Sequence, residues 1–230
     1  MRVGILGTGT LAAALGERWA RAGHEVALGG RSSAKARELA GRLGAGVHAV
    51  APRAAVAHRD AVLLAVSWDG VEDMLRSVDA ADGTLEGMPL IDPTNAVGHG
   101  VGTLLTGHGE SMAERIAGLA PGARVVKAFH LFPADRWTGP SHDARPPATV
   151  AMCGDDAAAL RVVGHLVQDA GALPATLGAL SRARQLEEAA GFVIGLAFAG
   201  FDPGSAVPRL PSDQGPAAPA PRQAAPSFPV

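Results

Sequence analysis

Tyrosine is missing from the 230-residue chain, cysteine occurs once, and the 20 basic residues include only two lysines, Lys35 and Lys127. Without tyrosine there is no phenolic general acid, which excludes the Tyr/Lys chemistry of short-chain dehydrogenases. The single cysteine, Cys153, can form neither an intramolecular disulfide nor a multi-cysteine zinc site. A surplus of either charge is missing too: 20 basic against 22 acidic residues give a net charge of -2 and a pI near 6.4. That balance excludes the electrostatic footprint of a nucleic-acid or anionic-membrane binder. Long apolar runs are also absent. The most apolar late stretch, residues 189–201 (AAGFVIGLAFAGF), falls well short of the ~20 residues that span a bilayer. The opening MRVGILGTGT lacks the apolar run and cleavage site of a signal peptide, so a cytoplasmic protein of a reducing compartment is expected.

What the chain does contain is alternation. Residues 2–6 form a short aliphatic run that reads as a buried strand, followed by Gly7-Thr8-Gly9-Thr10 and helical spacing over 11–22. Further strands are predicted over 25–28, 47–50, 61–66, 88–92, 124–128 and 148–153. Helices are predicted over 33–43, from Pro52, over 111–119 and over 155–169. The uninterrupted AVLLAV of 61–66 suits a parallel strand buried on both faces. This pattern predicts an α/β fold: a Rossmann-like, doubly wound, mostly parallel sheet with a short C-terminal helical portion. The organisation expected is a Rossmann-like domain over 1–178, the helical portion over 179–202, and a Pro/Ala-rich tail over 203–230. Eight prolines in the last 28 positions favour an extended or disordered tail.

Gly7-x-Gly9-x-x-Ala12 follows the first strand and opens a helix. The first glycine permits the tight turn, the second lets the backbone approach a pyrophosphate, and a small third residue lets helix and strand pack closely. The phosphates would sit over Gly7, Thr8, Gly9, Thr10 and Leu11, where the helix start favours anions. An NAD site usually places Asp or Glu at the end of the second strand. Here that position reads Gly30-Arg31-Ser32-Ser33-Ala34-Lys35. Arg31 can pair with a 2′-phosphate while Ser32, Ser33 and Lys35 donate to it, so NADP(H) is the expected cofactor. Val66, Ser67 and Trp68 follow another strand, and Thr94 and Asn95 follow the next, where they can approach the nicotinamide carboxamide or ribose.

Five blocks then occur in one order: GTGTLAAALGERWARAGHEVALGGRS, DPTNAVGHG, SMAERIAGLAPGARVVKAFHLFPA, CGDD and SRARQLEEAAGFVIG. Together they resemble the NADPH-dependent reductases of the deazaflavin coenzyme F420, a family related to the cytosolic domains of the STEAP metalloreductases. The resemblance runs from residue 1 to about residue 201. It implies NADP on the Rossmann-like half, F420 against the C-terminal helical portion, direct hydride transfer between the two rings, and a homodimer. By this resemblance Thr8, Arg31, Ser32 and Ser33 hold the NADP phosphates, Ser67-Trp68-Asp69 passes the cofactor, and His130 with Pro133-Ala134 lines the deazaflavin pocket. The chain departs from the family with Gly30-Arg31 for a more usual Ser-Arg, Ser67-Trp68 for Pro-Trp, and an apolar surround of Phe129 and Phe132 at His130.

Hydride exchange between stacked rings is mainly a positioning problem and needs no covalent nucleophile. His130 is the candidate catalytic residue, as a hydrogen-bonding partner for the acceptor ring. Phe129 to Pro133 is expected to wall the pocket, and Arg182 and Arg184 are candidates for an anionic substrate tail. Two other readings remain open. One is reduction of a small imine or carbonyl, with His130, Asp135 or water as proton donor; the other is an NADP sensor without turnover. His99 and His108 lack a third ligand at convincing spacing, so no metal is expected.

Overall fold

The computed structural model describes residues 1–98, 100–138 and 147–208. Its strands, in chain order, are β1 (Arg2–Leu6), β2 (Glu25–Gly29), β3 (Val47–Val50), β4 (Ala61–Leu64), β5 (Pro89–Asp92), β6 (Arg124–Lys127), β7 (Thr149–Gly154) and β8 (Leu173–Thr176). They form one sheet in the order β3-β2-β1-β4-β5-β6-β7-β8. Pairing is parallel from β3 through β6, antiparallel between β6 and β7, and parallel again between β7 and β8. Strand order reverses between β1 and β4, and ligands of doubly wound sheets bind outside the carboxyl ends of the strands at that reversal. This is the Rossmann-like, mostly parallel architecture predicted from the alternation.

The helices are α1 (Thr10–Arg21), α2 (Ser33–Leu43), α3 (Pro52–Val56), α4 (Val71–Ser77), α5 (Met112–Leu119), α6 (Ala157–Asp169) and α7 (Ala183–Phe198). Each covers one face of the sheet with its apolar stripe. Ala12, Leu15 and Trp19 of α1 join Leu39 of α2 and Val163, Leu166 and Val167 of α6 in one core cluster. Val56, Met74, Leu75, Ile116 and Leu186 build the other. Sequence signals set the helix ends. Ser32 caps α2 by accepting from the Lys35 N–H, Ser111 and Glu114 form a reciprocal capping box on α5, and Asp156 caps α6.

Several boundaries differ from expectation. The 61–66 strand stops at Leu64, because Ala65 and Val66 already turn toward the ligand side. Strand β8 was not anticipated: it is a half-exposed four-residue edge strand carrying Pro174, with neither an apolar run nor clean alternation. The helical portion expected over 179–202 is α7, introduced by a 3-10 turn at Leu180–Arg182 and ending at Phe198. Helix α7 meets the segment around Gly102 backbone to backbone. A Cβ at Gly102 would run into the Gly191 carbonyl, and one at Gly191 would run into the Gly102 carbonyl. No helix among the described residues is long and apolar enough to cross a membrane. His99 and residues 209–230 of the predicted tail lie outside the described residues.

Candidate functional site

Gly7 leaves β1 with φ +132, and a Cβ there would strike the carbonyl of Ala65, so only glycine fits. Its N–H donates to the Gly29 carbonyl at 2.7 Å, which ties the loop to the end of β2. Gly9 then starts α1 in extended conformation with open space where a Cβ would stand. The helix has no side-chain cap and no acidic residue in its first turn. Its leading N–H groups are therefore available to an anion, and the helix dipole favours one.

A cavity of about 260 Å³ opens at this point. Gly7, Thr8 and Gly9 form one wall, Gly30, Arg31, Ser32 and Lys35 a second, and Ala65, Val66, Ser67 and Met74 a third. Gly30 is confined by the Thr8 side chain, which a Cβ would press. A neighbouring cavity of about 360 Å³ shares Gly30 and Arg31 and adds Ser33, Arg37 and the strand-end residues 49–52. Arg31 therefore stands between the two. Among the described residues Arg31, Lys35 and Arg37 form no ion pair, and no carboxylate lines either cavity. Three unneutralised cations around a carboxylate-free rim suit a phosphate monoester beside a ribose. Arg37 was missed by the sequence reading, although it lies one helical turn beyond Ser33.

A third cavity, of about 610 Å³, shares Thr8 and Gly9 with the first. It extends past Thr10 and Ala13 of α1 and Arg42 at the end of α2 to Pro133, Ala134, Asp135 and Thr138. Loop and β6 exit thus converge on one groove, which places Pro133 and Ala134 beside the glycine loop. Leu11 packs against the first core cluster and does not line these cavities.

The remaining expected residues sit at the carboxyl ends of the central strands. Trp68 opens a 3-10 turn after β4 and is 36% exposed. Thr94 is buried, and its N–H and hydroxyl both donate to Asp92 Oδ1, at 2.8 and 2.6 Å. Asn95 Nδ2 donates to the His130 carbonyl at 2.6 Å. His130 is buried, and among the described residues its Nδ1 has no hydrogen-bond partner; the same is true of Asn95 Oδ1. These two orphaned buried polar atoms lie on adjoining strand ends, and neither residue lines the three cavities described above. Burial, reinforced by the nearby Lys127 ammonium, lowers the His130 pKa from 6.5 to about 3. The imidazole is therefore neutral at physiological pH and acts as a hydrogen-bonding group rather than an acid.

Two expectations change. Phe129 does not wall the groove: it adopts a left-handed backbone (φ +61) and lies in the core, edge-on to Trp19 at 6.1 Å and Trp137 at 5.5 Å. Arg184 is committed to the carbonyls of Gly107 and Glu110, both at 2.8 Å, and Arg182 to Gln185. Lys127 is fully buried between two carboxylates, Asp92 at 2.9 Å and Glu187 at 2.8 Å. Cys153 is wholly buried, and burial pushes its thiol up to about 11.

Fold and loop together define a dinucleotide-binding Rossmann protein whose second strand ends in cations. Residues 2–96 match the family described as NADP oxidoreductase, coenzyme F420-dependent. Through this nucleotide-binding half the chain is similar to that family of NADP oxidoreductases. It is 29% identical over 189 residues to the metalloreductase STEAP3 of Rattus norvegicus, covering 81% of this chain and 36% of the relative. The chain thus spans about a third of that relative's length. A solved structure from Arthrobacter sp. FB24, named for an inferred F420-dependent NADP reductase, superposes with a TM-score of 0.74 at 25% identity. That match covers 86% of this chain and 95% of the Arthrobacter chain. A reductive aminase from Aspergillus terreus in complex with NADPH and ethyl levulinate shares the fold at a TM-score of 0.63 and 23% identity, over 86% and 62% of the two chains.

Proposed function

We propose that the protein is an NADP(H)-dependent oxidoreductase that exchanges a hydride between the nicotinamide C4 and the deazaflavin C5 of coenzyme F420. The cation rim of Arg31, Lys35 and Arg37 beside the uncapped start of α1 carries the cofactor part of this reading. Thr8 to Thr10 would hold the pyrophosphate, and Ser32 and Ser33 the 2′-phosphate. Asn95 Oδ1 would accept from the nicotinamide carboxamide, while Trp68 and Ser67 flank the cofactor's path. The family match and the Arthrobacter structure support F420 as the second substrate. A neutral His130 suits it: a ring-to-ring hydride transfer asks for a hydrogen bond to developing charge, not for a proton from a strong acid. Bound NADP supplies the hydride-carrying ring; the chain orients it and keeps water from it.

Purified protein mixed with NADP and reduced F420 should restore the visible absorbance of oxidised F420. Binding of NADP without exchange in either direction would overturn the assignment and leave the non-catalytic sensor. Arg31→Ala should weaken NADP binding by ~10- to 100-fold with little change for NAD, read by fluorescence titration. Equal losses for both nucleotides would remove the 2′-phosphate role.

Reduction of a small imine or carbonyl is the second reading, and Asp135 is the observation that favours it. With His130 neutral and tyrosine absent, Asp135 is the carboxyl that lines the third cavity. NADPH oxidation with cyclic imines, abolished by Asp135→Asn, would establish it. The reading also carries a cytoplasmic location and a homodimer, the dimer supported by exposed Phe192 on α7 and exposed Phe201 just beyond its end. Sedimentation at micromolar concentration tests the dimer.

A further inference from the structure

Lys127 takes no part in the exchange proposed above, yet its ammonium is fully satisfied in the interior. Its three N–H groups meet Asp92 Oδ2 at 2.9 Å, Glu187 Oε1 at 2.8 Å and the carbonyl of Thr94. Each acceptor comes from a different part of the fold. Asp92 ends β5 directly across the sheet from Lys127. Thr94 lies in the loop after β5 and also gives its N–H and hydroxyl to Asp92. Glu187 reaches in from α7 and accepts from the Met112 and Ala113 N–H groups at the start of α5. One residue beyond Thr94, Asn95 grips the His130 carbonyl. Hydrogen bonds thus connect α7 through Lys127 to Thr94, and the next residue, Asn95, carries the connection on to the backbone carbonyl of His130; Asn95 Oδ1 and His130 Nδ1 belong to the two residues at its end.

Stability alone does not account for this cluster. Apolar side chains of equal volume usually stabilise an interior as well as a buried ion cluster does, or better. The surrounding core is apolar, yet the charges sit at the ligand-bearing ends of β5 and β6. We infer that Lys127, with Asp92 and Glu187, is a positioning residue that fixes Asn95 and His130 in the geometry hydride transfer requires. Its kinetic meaning rests on the function proposed above. The ionisable groups of this cluster come from four elements: Lys127 on β6, Asp92 on β5, Glu187 on α7 and the neutral thiol of Cys153 on β7. Among them the Lys127 charge adds to burial in keeping the imidazole unprotonated.

The double variant Lys127→Met/Glu187→Gln removes one charge of each sign, and Glu187→Gln alone is a milder change should the double variant fail to fold. Each is studied as the full chain with NADP. NADP affinity should stay within ~3-fold of the wild type, because the phosphate sites lie elsewhere, while single-turnover hydride transfer slows by ~10-fold or more. By NMR the wild-type His130 imidazole should stay neutral across roughly pH 5–8; loss of the Lys127 charge in the double variant should move its titration upward, with burial still holding it below the usual range, whereas Glu187→Gln, which leaves Lys127 charged, should not raise it. Parallel loss of affinity and rate with an unmoved His130 titration in the double variant would reduce Lys127 to a structural anchor and overturn the inference. If the wild type transfers no hydride, the proposed function fails, but the His130 titration needs no substrate and still decides the positioning role.

Discussion

Gly7 and Arg31 illustrate what single residues can reveal. The Gly-x-Gly pattern after an aliphatic run was readable from spacing, and the structure supplies its cause in the Ala65 carbonyl that a Cβ would strike. Gly7→Ala should cost ~1–3 kcal/mol from backbone strain alone, seen as a lowered melting temperature. The collision adds to that. Gly9→Ala has room for its Cβ, so it should melt near the wild type and lose nucleotide affinity instead. Arg31 was legible because the carboxylate of an NAD site is missing two residues after the second strand. Arg37 and Glu187 were not, since a helix arginine or glutamate is ordinarily solvated and nothing local distinguishes these two. Cys153 should resist thiol reagents in the folded protein and react only on unfolding, given its complete burial and raised pKa.

Among the elements, α5 receives support from two directions. Its own sequence supplies the Ser111/Glu114 capping box, while Glu187 of α7 takes two further N–H groups of its first turn. Ser111→Ala should lower stability by ~1 kcal/mol, the usual loss for an N-cap. Glu187→Ala should lower it by ~3–5 kcal/mol, since Lys127 loses a buried partner and α5 loses an anion. Urea melts of the two variants check the ranking. The capping box could be read from four consecutive residues. The Glu187 contact joins positions 75 apart, and no local signal announces it. Strand β8 escaped notice for a related reason: its edge position, proline and half-exposed side chains leave it no pattern of its own.

At the scale of the whole molecule, alternating apolar runs and helices were enough for a doubly wound, mostly parallel sheet, though not for its strand order. The antiparallel step from β6 to β7 was not legible either, because strand direction depends on where the intervening chain crosses. The pH dependence of stability also belongs to the assembled core. His130 takes up a proton near 6.5 in the unfolded chain but only near 3 when folded, first because it is buried and then because of Lys127. Between those values the unfolded state binds the proton and the folded state does not. Stability is therefore fully expressed above pH 6.5 and falls as the pH drops toward 3, by up to ~1.4 kcal/mol per pH unit. Urea midpoints at roughly pH 7 and pH 5 should show this slope, and His130→Asn should flatten it.

The meeting of Gly102 with Gly191 has an evolutionary consequence. Because both surfaces are main chain, neither side has a side chain that could be trimmed to accommodate a larger neighbour. A substitution at either glycine cannot be rescued by a second one opposite, so neutral drift has no route through this contact. Lineages that diversify the substrate groove would be free to vary Arg42, Asp135 or Thr138, yet would inherit this crossing unchanged.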